Sequence, residues 1–209
     1  MKLSPLSFSA GTAVFMTAVL ATVGFTAPPR VAPVEPVAAP VEPQVDVIER
    51  GDWGATAGRG TFIGSVDDVI IHHFWRPNLP SVVAPEREAA LMRAVEKTHV
   101  EDNQWSGFGY SFVVFQSGRV YEGRGWGREG AHTVGMNDRS IGIAFAIDGD
   151  KHVPTPEAWA AAKDLIEDGV ALGHIEPDLE ISGHRDHAAK SCPGERIAPH
   201  IQSLRPINA

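Results

Sequence analysis

One cysteine and nine histidines hold most of the reactive chemistry this chain offers. Cys192 sits in Lys190-Ser191-Cys192-Pro193-Gly194, a turn-forming stretch rather than an apolar run. In a chain bound for an oxidising compartment, a single cysteine pairs between chains, reacts, binds metal or is simply buried. Among the histidines, His72 ends a strand signal, and His184 follows another strand and a glycine, eight residues before Cys192. Two imidazoles and a thiolate leave one position open on a tetrahedral zinc ion, and water there has its pKa pulled toward neutrality. Spacing alone does not select this trio, because several histidine pairs would serve.

Competing motifs fail on context. Gly125-Trp126-Gly127-Arg128-Glu129-Gly130 fits a dinucleotide fingerprint, but AHTVGMNDRS follows it and offers no helix N-terminus for a pyrophosphate. His184-Arg185-Asp186 mimics a kinase triplet without the glycine-rich loop, strand lysine or later asparagine that kinase chemistry needs. Neither H-E-x-x-H nor G-x-S-x-G occurs.

The elements that must position these residues are readable from periodicity. Residues 68–73 (DVIIHH) form a β-branched run and predict a buried strand ending in two histidines. From Pro85 to about His99 the apolar spacing is helical. Residues 110–116 and 119–122 flank Ser117-Gly118, a two-residue hairpin signal. Residues 140–147 (SIGIAFAI) predict another buried strand, and Thr155-Pro156-Glu157 predicts the start of a helix running to about Leu172. Residues 179–182 form a last short strand, and 195–204 read as helical despite Pro199. Strands interleaved with helices give an α/β domain.

Composition bounds the rest. The chain has 209 residues, 43% hydrophobic and 21% charged, as expected for one globular domain plus flanking segments. A formal net charge of −8 argues against a nucleic-acid partner, which requires a basic face. Residues 1–27 have one charged side chain, Lys2, ahead of an apolar stretch, and read as a signal peptide or an N-terminal membrane anchor. Residues 28–44 carry six prolines and read as a semi-rigid spacer or a disordered leader. The folded domain is therefore placed at 45–209, outside the cytoplasm, periplasmic or secreted, with membrane tethering through the apolar segment as an open alternative. A monomer is expected.

Several blocks, in order, carry a resemblance to a known family. They are DWGA at 52–55, VIIHH at 69–73, GYSFVV at 109–114, GRVYEGRGWG at 118–127, GAHTVGMNDRSIGIAFA at 130–146, GHRD at 183–186 and CPG at 192–194. Through them the chain resembles the peptidoglycan recognition proteins and the type 2 N-acetylmuramoyl-L-alanine amidases. The resemblance implies a single domain with a central mixed β-sheet flanked by about three helices, and a groove for a muropeptide. It implies one zinc ion per chain on His72, His184 and Cys192, with Tyr110 and Lys190 as catalytic residues. Tyr110 would support the attacking water or the tetrahedral intermediate, and Lys190 would stabilise the oxyanion, often a large catalytic contribution. His132 would lie in the substrate groove, and His73 beside the ligands or in the groove wall. Trp126 would either stack on a sugar or serve structurally. The bond implied is the amide joining N-acetylmuramic acid to L-alanine.

Other residues are expected to be plain. His99 is read as packing, Trp53 and Trp105 as core or groove floor, and His152, His174, His187 and His200 as solvated surface. Asn137 and Arg139 are expected to hold a loop. The identity of the general base stays open, because tyrosine at its ordinary pKa is a poor one. Two functions compete, a zinc amidase and a non-catalytic peptidoglycan-binding module. A zinc peptidase cutting within the stem peptide is a weaker third.

Overall fold

The computed structural model describes residues 42–74 and 79–206, all within the compact unit Pro40–Ala209. The apolar segment 1–27, most of the proline-rich stretch and Trp75, whose place after the histidine strand fits a groove wall or a surface aromatic equally, lie outside the described residues. No helix among the described residues is long and apolar enough to cross a membrane.

The Val69-Ile70-Ile71 run is buried on both sides and forms the middle of β2 (Val66–His73). Buried parallel strands are expected to be apolar throughout, and β2 is hydrogen-bonded in parallel to β5 (Ser140–Phe145) and to β6 (Ile175–Gly183). On the far side of β5 lie β3 (Phe112–Val114), antiparallel β4 (Val120–Glu122) and the short β1 (Val47–Ile48). The six-stranded mixed sheet has the order β1-β4-β3-β5-β2-β6.

Alternation of side chains divides the core in two. Val69, Ile71, Phe112, Val114, Ile141, Ile143 and Phe145 point to the face covered by α3 (Pro156–Ala171). Val113, Ala144 and Phe74 point to the face covered by α2 (Pro85–Lys97) and the single turn α1 (Arg50–Trp53). Helix α3 begins as its sequence predicts. Thr155 Oγ1 accepts the Ala158 N–H at 3.1 Å, and Pro156 occupies the first turn, where no donor is needed.

Three local expectations change. The hairpin loop holds three residues, not two: Phe115 N donates to Arg119 O at 3.0 Å, and Gly118 takes φ +82. A tight turn followed by one left-handed glycine is the usual three-residue solution. The last strand starts at Ile175, because Glu176-Pro177-Asp178 sits on the sheet edge, where exposed polar residues and proline are tolerated. The segment expected to be helical from 195 is a 3₁₀ helix confined to Ala198–Leu204, with Pro199 in its first turn.

Candidate metal centre

Strand register brings the first two donors together. Ile71 pairs with Gly183 across the parallel β2–β6 ladder, so His72 and His184 leave the sheet side by side. Their ring centroids are 4.8 Å apart. Cys192 arrives on the following loop, 9% exposed, with Sγ 3.5 Å from His72 Nδ1 and accepting the His73 backbone N–H at 3.4 Å. One donor atom from each of His72, His184 and Cys192 lies within 4.8 Å of the others. Donors on a tetrahedral zinc stand roughly 3.3–3.8 Å apart, given its bond lengths. The three residues therefore fit such an ion in both chemistry and spacing.

The remaining edge of His72 is also engaged. Its Nε2 meets His132 Nδ1 at 3.1 Å, and Thr133 Oγ1 lies 3.1 Å from the same His132 nitrogen. Asn137 Oδ1 accepts the backbone N–H groups of both His132 and Thr133 at 2.9 Å, fixing the loop that presents them. Gly142 on β5 makes room, since a Cβ there would fall 2.5 Å from His132 Cδ2. Arg139 holds the end of the same loop through Asp68, Nε to Oδ2 at 2.9 Å. Asn137 and Arg139 are thus loop-holding residues, as expected.

Burial sets the protonation states. It holds His72 well below the ordinary imidazole range, assisted by the neighbouring His132 and His184. It lowers His132 to about 3 and lowers His184, the latter aided by the Lys190 charge. The His72 and His184 imidazoles are therefore neutral at physiological pH, as metal binding would require. Burial also raises the Cys192 thiol to about 12, so without a cation the sulfur keeps its proton. Tyr110, partly buried beside His72 at 5.1 Å between ring centroids, is pushed up by burial and then by Cys192, and stays a phenol.

The other predicted residues are placed as follows. Lys190 is exposed and lines an open cavity of about 390 Å³ with His73, Asp150, Ser191 and Cys192. His73 follows His72 on the strand, so its ring points to the opposite face, where Nδ1 accepts the Gly149 N–H at 3.1 Å. His99 packs as expected: Nδ1 accepts the Gly109 N–H at 3.0 Å, and the ring contacts Trp105 and Phe108. Trp53 is core and Trp105 packs on His99.

Trp126 is not with this group. It packs on Phe112 at 4.4 Å and stacks on His174 at 5.0 Å with an interplanar angle of 8°, on the α3 face of the sheet. The structural alternative for Trp126 holds, and His174 is a partly buried stacking partner rather than solvated surface. The reason is the hydrophobic demand of α3, where Gly169 brings the helix against the indole. Sequence reasoning did not single out Thr133, Gly142 or Asp150. None belongs to a spacing rule, and only the tertiary fold brings them to the site.

Comparison with known proteins agrees with this fold. A family model described as N-acetylmuramoyl-L-alanine amidase matches residues 64–195. Peptidoglycan-recognition protein LB of Drosophila melanogaster is 35% identical over 159 residues, 75% of this chain and 68% of that protein. The human N-acetylmuramoyl-L-alanine amidase is 36% identical over 149 residues, 69% of this chain but only 26% of that longer protein. Among solved structures, wild-type Drosophila PGRP-LB superposes with a TM-score of 0.71 at 34% identity, covering 76% of this chain and 94% of that one. A variant of the same protein in complex with tracheal cytotoxin gives 0.70 at 34% identity, over 75% and 93% of the two chains.

Proposed function

The chain belongs to the N-acetylmuramoyl-L-alanine amidase family, and from that premise we propose that it is a zinc-dependent hydrolase of peptidoglycan. Its substrate bond is the amide between the lactyl carbonyl of N-acetylmuramic acid and L-alanine. The observation that carries this reading is the convergence of His72, His184 and Cys192, one possible ligand atom of each lying within 4.8 Å of the others. A non-catalytic peptidoglycan-binding module has no use for a buried thiol aimed at two neutral imidazoles.

The zinc is assigned to His72 Nδ1, His184 and Cys192 Sγ, where it would supply Lewis acidity toward a carbonyl oxygen and water. With the metal on Nδ1, the His72 proton would sit on Nε2, where His132 Nδ1 at 3.1 Å can accept it. Tyr110, held as a phenol by burial, donates a hydrogen bond rather than removing a proton. Lys190 brings an ammonium to the mouth beside Cys192, where it stabilises negative charge developing on the carbonyl oxygen. Hydrolysis consumes one water, breaks the C–N bond and releases the stem peptide with a free amine.

The net charge of −8 matches no attraction to an anionic wall, so binding rests on groove contacts and depends weakly on salt. A monomeric peptidoglycan fragment, such as the tracheal cytotoxin in the complexes of solved relatives, is the ligand this site is expected to take. We place the domain outside the cytoplasm, where that substrate is found, with residues 1–44 as export signal or anchor and spacer.

The test is metal analysis together with digestion of purified sacculi. The parent protein should carry about one zinc per chain and leave muramic acid free of L-alanine, and Cys192→Ser should lose both properties. Metal-free parent that still binds sacculi would establish the recognition module instead. Products cut within the stem peptide would establish a peptidase.

A further inference from the structure

Beside the metal centre lies a second group of donors, His73, Asp148 and Asp150, with donor atoms within 4.8 Å of one another. Its acids are already engaged. Asp148 pairs with Lys151 Nζ at 2.7 Å. Asp150 Oδ2 accepts from Ser191 Oγ at 2.9 Å, and its Oδ1 accepts the Glu195 backbone N–H at 3.1 Å. The group is therefore a brace rather than an ion site, and what it braces is the loop that carries Cys192.

Resting on the amidase reading above, we propose that Asp150 is a positioning residue for the hydrolysis. It pins the loop on both sides of Cys192 and so sets the sulfur and the Lys190 ammonium against the reacting centre. One carboxylate spans residues 191 and 195, with the ligand cysteine between them. The neighbouring backbone completes the brace. Gly149 O accepts the Arg196 N–H at 2.9 Å, and Gly149 N–H donates to His73 Nδ1 at 3.1 Å. The His73 backbone N–H then returns to Cys192 Sγ at 3.4 Å. The two strips of backbone are in direct contact, since a Cβ on Gly149 would sit 2.0 Å from Pro193 O and one on Gly194 would sit 2.1 Å from Gly149 C. Such contact transmits any shift of the 149–150 segment to the cysteine.

Position, not charge, is what Asp150 supplies, because a carboxylate near a thiolate repels it. Asparagine keeps both contacts, with Oδ1 accepting from Glu195 N and the amide donating to Ser191 Oγ. The experiment loads the full chain, as parent, Asp150→Ala and Asp150→Asn, with cobalt(II). It reads the thiolate-to-cobalt charge-transfer band, the zinc affinity by chelator competition, and kcat and KM on muropeptides at saturating zinc. Asp150→Ala should shift and weaken the band, lower zinc affinity about 10–100-fold, the usual cost of removing a group that orients a ligand, and lower kcat with little change in KM. Asp150→Asn should restore all three. The inference is overturned if Asp150→Ala keeps the parent's band, affinity and kcat while only melting earlier, or if Asp150→Asn fails as Asp150→Ala does. A parent that takes up neither cobalt nor zinc overturns the amidase reading itself, and the inference with it.

Discussion

His72 Nε2 stands 3.1 Å from His132 Nδ1, on the edge of the ring opposite the one that faces Cys192 Sγ at 3.5 Å. One imidazole is thus committed at both nitrogens. The contact with His132 orients the ring so that Nδ1 faces the other two donor residues.

Removing that orienting contact should loosen the metal without dismantling the fold. His132→Ala should lower zinc affinity by about 10–100-fold, read by competition with a chromophoric chelator. Far-UV circular dichroism should stay at the parent's level. Unchanged affinity would show that the loop packing alone orients His72.

Metal affinity should rise with pH. The Cys192 thiol, held at about 12 by burial, is protonated across the neutral range, whereas His72 and His184 are already neutral there. Binding a cation therefore expels one proton, and zinc affinity should increase about tenfold per pH unit between pH 7 and pH 9. The affinity is lost as pH falls, because protons compete for the sulfur. Titrations in buffers of different ionisation enthalpy should report one proton released, and a slope near zero would mean that the thiolate is preformed.

Tyr110→Phe should leave zinc content intact and lower kcat by about 10²–10³, the cost of losing one donor to a developing oxyanion. Since burial keeps the phenol protonated, the parent's kcat should show no loss assignable to Tyr110 ionisation between pH 6 and pH 9. If Tyr110→Phe retains full kcat, the hydroxyl only packs.

Trp126 gives the opposite pattern. Because it fills space between Phe112, His174 and α3, Trp126→Ala should destabilise the domain by about 2–4 kcal/mol. Its KM for muropeptides, measured well below the melting transition, should match the parent's. A raised KM with unchanged stability would return the indole to the groove.

Much of this protein was legible in its residues. The β-branched run ending at His72, the Thr155-Pro156 helix start and the glycine before His184 each follow from local sterics and hydrogen bonding, which act over a few residues. Histidine and cysteine chemistry limited the ion to one that takes nitrogen and sulfur donors, and the ordered blocks pointed to the family. What periodicity and spacing, apart from the resemblance, could not decide is anything set by register. Which histidine of the 72–73 pair turns toward Cys192 depends on side-chain alternation across the sheet, and the meeting of His72 with His184 depends on Ile71 pairing with Gly183 rather than with a neighbour. His174 was misplaced, and Trp126 left between two roles, for the same reason, since their stacking requires α3 to lie over one particular face. Tertiary packing alone set Cys192 against His73 and the following Pro193-Gly194 against the 149–150 backbone, and the burial keeps the thiol's proton in place until a cation replaces it.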